Sequence, residues 1–149
     1  MQDSPTTVKM LAFYFCWAVD LQSVLGGMMS YLRQRFLTEE ESKLLVILQE
    51  NVKENYHVFC KVRLSEFLYS SQKMGSSEFF NEFEIVNSIT LPFAIYDTFE
   101  NQLVAVISYI KPIEKSNLLE NQDIKVIHLT MLKDALTNGD LSMFYSDSF

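Results

Sequence analysis

The sequence predicts an α/β domain, with a small central mixed sheet of about four strands flanked by helices. Three observations point there. Two apolar runs, Phe93–Tyr96 and Leu103–Ile110, are joined by a short polar connection centred on Glu100–Asn101, which suits a hairpin. Thr38-Glu39-Glu40-Glu41 forms a capping box, in which the hydroxyl accepts from a first-turn amide and Glu41 reaches back to the cap. Tyr56–Val62 places Tyr56, Val58, Cys60 and Val62 on one face, the period of a half-solvated strand. At 149 residues and 17.3 kDa one domain is expected. The 48% hydrophobic content, with 12 Phe and 7 Tyr, is enough to fill its core.

Along the chain, residues 1–9 are polar and read as a loose tail. Residues 10–36 form an apolar segment. It opens with MLAFYFCWAV, is interrupted by Asp20 and Gln22, and resumes as VLGGMMSYL before Arg33 and Arg35. A spanning helix needs about 20 apolar residues, and an acid at mid-membrane costs about 2.5–3.5 kcal/mol. A buried segment is therefore expected, and membrane contact through 10–32 is disfavoured. Gly26–Gly27 is a poor cleavage site for a signal peptide.

Residues 38–145 carry the core. Leu44, Leu45, Leu48 and Val52 form an apolar stripe, so the spacing predicts a helix over Glu39–Glu54. Its three first-turn acids suit the helix dipole. A strand follows at Tyr56–Val62, then a short helix or turn at Leu64–Ser70 and a loop at Gln72–Ser77. A short helix at Glu78–Phe83 is expected to bury Phe79, Phe80 and Phe83. Pro92 fits only at the first residue of its strand or on an edge. After the hairpin, Asn121 or Asp123 is expected to cap a helix running to Leu136. Its apolar side would be Ile124, Ile127, Met131, Leu132, Ala135 and Leu136. Asn138–Gly139 reads as a stop, and Leu141–Tyr145 as a final strand.

The formal net charge of −7 repels phosphate backbones on average. From Phe67 to Ile110 Lys73 faces five acids, Glu78, Glu82, Glu84, Asp97 and Glu100. Cys16 and Cys60 suggest buried thiols in a reducing, cytoplasmic setting, and no Cys/His cluster suggests zinc. His57 and His128 have no nucleophile nearby in sequence, and no G-x-S-x-G or P-loop is present.

Val62-Arg63-Leu64-Ser65-Glu66-Phe67-Leu68, then Phe80-Asn81, Leu91-Pro92-Phe93-Ala94-Ile95-Tyr96-Asp97 and Val106-Ile107-Ser108-Tyr109-Ile110-Lys111, succeed one another in a telling order. This pattern resembles a bacterial family of unknown function within the PD-(D/E)XK, restriction-endonuclease-like superfamily. The resemblance covers about Thr38–Tyr145 and implies a nuclease-like core. It also implies a metal-binding aspartate where this chain has Pro92, a glutamate where it has Ser108, and a lysine where it has Ile110. Magnesium wants carboxylate oxygens, and proline and serine do not replace them. Asp97 matches an acid of the family but reads as a turn cap. Glu41, Glu66 and Glu84 are the other acids from which a migrated site could be built, and Lys61 and Arg63 lie where a phosphate could be met.

The sequence thus predicts a non-catalytic, regulatory protein-interaction chain on a degenerate nuclease-like fold, without cofactor, metal or catalytic residues. Its partner is expected to be another protein or a second copy in a homodimer. The candidate interface is Phe13, Tyr14, Phe15, Trp17, Met28, Met29 and Tyr31, more apolar area than one helix face buries in so small a domain. The alternative is a nucleic-acid-binding module, with Lys61, Arg63, Arg33 and Arg35 converging, or a metal-dependent nuclease with migrated carboxylates.

Overall fold

A computed structural model of the protein describes residues 30–147. The chain divides into two units, Met1–Phe36 and Leu37–Phe149. The second unit holds every element that follows.

Helix α1 spans Glu39–Asn51, and its capping box closes as the sequence predicts. Glu41 N–H donates to Thr38 Oγ1 at 3.2 Å, and Thr38 N–H donates to Glu41 Oε2 at 2.9 Å. Strand β1 is Tyr56–Arg63, and a 3-10 turn follows at Leu64–Glu66. Helix α2 spans Ser77–Ser88, longer than expected, because the Ser76 hydroxyl caps it and no glycine or proline interrupts it. It does not bury the phenylalanines as expected. None of its residues is fully buried, and Phe80 and Phe83 are 55% and 44% exposed.

Strands β2 (Thr90–Asp97) and β3 (Gln102–Tyr109) form the expected antiparallel hairpin. Two corrections follow from the fourth strand. It is Lys125–Leu129, here β4, which lies parallel to β3 in register with Ala105–Tyr109. The predicted helix to Leu136 is absent from this stretch. Val126, Ile127 and their neighbours satisfy a period of two as well as a helical one, and the open side of β3 supplies the partner. Asp123, with φ 59, turns the chain into β4 after the short helix α3, Asn117–Glu120. The predicted strand at Leu141–Tyr145 is instead the end of a helix followed by a turn. Asn138 accepts from the amides of Asp140 and Leu141 and starts α5, Gly139–Ser142, directly after α4, Asp134–Thr137. Tyr145 retains an isolated antiparallel bridge to Val52.

The sheet order is β1-β2-β3-β4, two antiparallel pairs and one parallel pair, hence mixed as predicted. Each face carries a core. Leu44 and Leu48 of α1, with Ala135, Leu141 and Phe144, cover Val58, Phe93, Ile95, Ile107 and Leu129. Leu64 and Leu119 cover Leu91, Ala94 and Val106 on the other face, with Phe67 and Val86 packed behind them.

Pro92 sits third in an inner strand, not at a strand start or edge. The ladder opens around it. Pairing with β3 begins at Phe93↔Ile107, and pairing with β1 steps from Cys60↔Phe93 to Val62↔Leu91. Opposite Pro92, Lys61 adopts φ 53. Residues two apart in a strand normally share a face. Here Leu91 and Phe93 join different cores, so the alternation switches at Pro92.

Leu48→Ala is expected to destabilise the fold by about 2–5 kcal/mol, since it empties a fully buried site beneath the sheet. Thr38→Ala removes one cap bond and is expected to cost about 1 kcal/mol. Urea unfolding followed by far-UV circular dichroism checks both. Equal effects would show that burial of Leu48 contributes no more than the cap bond.

Candidate functional site at the ends of the central hairpin

The start of β2 and the end of β3 meet the N-terminus of α1 at a cleft of about 400 Å³, lined by Glu41, Thr90, Pro92, Tyr109, Lys111 and Glu114 among others. The Tyr109 hydroxyl donates to Glu40 Oε2 at 2.7 Å and pins α1 to the strand end. That bond and the adjacent carboxylate raise the phenol above its ordinary pKa. Burial, and then the nearby Glu41 charge, push up the Cys60 thiol, so the neutral form dominates at neutral pH.

The predicted site residues are only partly brought together. Glu41 and Pro92 line the same cleft. Glu41 already spends one carboxylate oxygen on the Thr38 amide. Ser108 lies one residue past the Phe93↔Ile107 pair but on the opposite face from Ile107 and Tyr109. It is 1% exposed, and its Oγ is 2.8 Å from His128 Nδ1, with the Ile127 carbonyl at 3.5 Å. Parallel pairing of Ser108 with His128 creates this contact. Sequence spacing hid it because it depends on β4 being a strand. A buried hydroxyl is poorly placed to attack a substrate, and among the described residues no carboxylate orients the imidazole. Lys111 lines the cleft as well, without a local sequence signal that would mark it. It enters because Ile110 turns the chain with φ 65.

The other acids lie elsewhere. Asp97, 7% exposed, ends β2 at the hairpin turn. Its Oδ1 accepts from Asn55 Nδ2 at 3.0 Å and the Phe99 amide at 2.9 Å, the turn cap its sequence context implies. The Asn55 bond, then these turn amides, hold its carboxyl below the usual range. Glu66 and Glu84 are exposed on the 3-10 turn and on α2. Arg63 Nη1 donates to the Asn87 carbonyl at 2.7 Å, so its head group ties β1 to α2. His57 is exposed on β1. Arg33 and Arg35 are exposed in the other unit. Of the candidate interface, Tyr31 is among the described residues and is exposed; Phe13, Tyr14, Phe15, Trp17, Met28 and Met29 lie outside them.

A magnesium ion does not fit these residues. Pro92 offers no side-chain ligand, Ser108 points away from Glu41, and Asp97 is at the other end of β2. Among the described residues no three His, Cys, Asp or Glu side chains are grouped to hold a metal. Nor is any described helix long and apolar enough to cross a membrane.

Asp97 makes a pH prediction. A carboxyl with a folded pKa below its unfolded value contributes stability that is complete above the unfolded value and disappears as pH falls through the folded one. Acid is therefore expected to lower the urea midpoint below about pH 4. Asp97→Asn, which keeps an acceptor for both donors, is expected to flatten that acid limb. An unchanged limb would place the acid sensitivity elsewhere. Ser108→Ala is expected to cost about 1 kcal/mol, because exposed His128 can bond water instead. A much larger loss in the same assay would mean the pair holds more of the sheet than its geometry suggests.

No curated protein and no solved structure matches the chain. Residues 33–130, from before α1 through the end of β4, match a family described as "Protein of unknown function (DUF2726)". The match spans well over half of the sequence, and the chain belongs to that family.

Proposed function

We propose that this chain is a non-catalytic protein-interaction or regulatory protein, built on a degenerate nuclease-like core. One observation carries the reading. Where the resemblance to restriction-endonuclease-like proteins implies two metal-binding acids, the chain has Pro92 in the Glu41 cleft and Ser108 turned toward His128. Hydrolysis of a phosphodiester by that chemistry needs a metal to activate water and stabilise the leaving oxygen. A proline and a serine supply no carboxylate to hold one. A fold without its catalytic groups is useful through its surfaces, and the exposed aromatics of α2 belong to such a surface.

The purified chain, incubated with magnesium or manganese and plasmid, single-stranded DNA or RNA, is expected to leave every substrate intact. Cleavage abolished by Glu41→Ala would overturn the non-catalytic reading. Mobility shifts at low salt are expected to show no binding to random nucleic acid, given the net charge of −7. Clear micromolar binding that weakens steeply with salt would favour the nucleic-acid module instead.

A further inference from the structure

Two adjoining clefts run over the 3-10 turn and share Phe67, Leu68 and Gln122 in their walls. Their volumes are about 630 and 570 Å³. Phe67, Leu68, Ile85, Val86 and Leu118 give the first an apolar floor. Glu82 lines one cleft and Glu66 the other, and among the described residues that line them there is no Lys, Arg or His. Glu78 stands one turn before Glu82 on the same side of α2, and the helix carries no base. The first cleft therefore has an apolar floor, the second is lined mostly by polar side chains such as Asn101, Gln102 and Gln122, and each holds one carboxylate.

The Glu82 carboxylate is positioned rather than loose. Its Oε2 accepts from the Ser70 hydroxyl, and Gln72 Nε2 approaches Oε1 at 3.4 Å. A carboxylate offers about four lone-pair sites. Room remains for a cationic donor, and a charge-assisted bond is the stronger kind.

We propose that this groove receives a basic, apolar segment of a partner protein, with leucine-like side chains on the floor and lysine or arginine reaching Glu66 and Glu82. The proposal rests on the protein-interaction reading and adds where the partner binds and what it is made of. Charge selects this occupant. A second copy placed groove to groove across a two-fold axis would bring carboxylates against carboxylates. Nucleic acid would meet the same charge with its own phosphates.

The test uses the full chain and a short fluorescein-labelled peptide of lysine and leucine in helical spacing, beside a glutamate–leucine peptide of the same spacing. Anisotropy is expected to show micromolar binding of the lysine peptide, weakening with salt, and no binding of the glutamate peptide. Glu66→Lys and Glu82→Lys are each expected to weaken it about tenfold or more. Glu84→Lys, on α2 but outside the groove, should leave it within about twofold. Glu82→Gln keeps an acceptor for Ser70 and guards against a folding defect; it should also weaken binding. Amide shifts in a nitrogen-15 spectrum should centre on Phe67–Ser71, Ile85 and Gln122. Equal losses from Glu84→Lys and Glu82→Lys, shifts centred on Met10–Leu32, or a dimer broken by Glu82→Lys would each overturn the groove assignment. A protein partner whose binding survives both groove reversals would overturn the groove and leave the interaction role standing. Nuclease activity in the assay above would remove the role itself, whatever the peptide does.

Discussion

The pairing of β2 with β3 is the constraint on which the rest of this fold depends. Both are inner strands, and from Phe93 to Ile95 and from Ala105 to Ser108 every residue is buried. Such strands have no solvated face, so each side of the hairpin must be covered. That requirement places α1 and the C-terminal turns on one face, and the 3-10 turn with α2 and α3 on the other. It also requires a neighbour along the free edge of β3, which β4 provides. A bulge sharpens the arrangement. Ile95 pairs with Ala105 while Tyr96 pairs with Leu103, leaving Val104 as the extra residue. Leu103 and Ala105 consequently serve opposite cores.

Polar ties then fix the two ends of the hairpin. At the turn, Asp97 holds the Phe99 amide and the Asn55 side chain, while the Thr98 amide and hydroxyl donate back to the Asn55 carbonyl at 2.9 and 3.0 Å. This small network joins the hairpin tip to the entry of β1. At the opposite end, Glu40 and Tyr109 link α1 to β3. The end of α1 is locked in turn by the C-terminus. Lys53 N–H donates to the Phe144 carbonyl, Ser146 N–H to the Asn51 carbonyl, and Tyr56 meets Phe144 edge-on at 5.2 Å. Asp134 plays a similar local part after β4. Its carboxylate accepts from the Thr130 hydroxyl and the Met131 amide, bonds that also lower its pKa.

The elements written in local chemistry were legible in the sequence: the capping box of α1, the alternation of β1, the apolar hairpin and the acid at its turn. The C-terminal third was not, for a physical reason. Ile124, Ile127 and Met131 satisfy a helical period, and Lys125–Leu129 satisfies a strand period, so periodicity could not decide. The long buried run in β3 was the available signal, since such a strand needs partners on both sides. Asn138 was ambiguous in the same way. It ends α4 and caps α5, and the Asn-Gly pair signals the stop alone. Glu41 and Pro92, which border the candidate cleft, were legible as residues of interest, but the geometry of the cleft was hidden. The Ser108–His128 contact and the entry of Lys111 both follow from long-range pairing and a left-handed residue, which local patterns do not encode.

The proposed loss of chemistry is accompanied by an irregular ladder at Pro92. Proline withholds a ladder donor, the strand opposite responds with Lys61 at φ 53, and the facing pattern switches between Leu91 and Phe93. Pro92 therefore borders the Glu41 cleft, while Ser108, its neighbour across the hairpin, faces His128. On the reading proposed here, an acid at position 108 would stand beside His128, on the face away from α1 and Glu41. A hard cation needs its oxygens converging within about 2–2.6 Å, so Glu41 and an acid at position 108 would not share one. The facing of β3 at position 108 thus adds to the missing acids, leaving the acidic, apolar outer surfaces as the part of the molecule free to specialise.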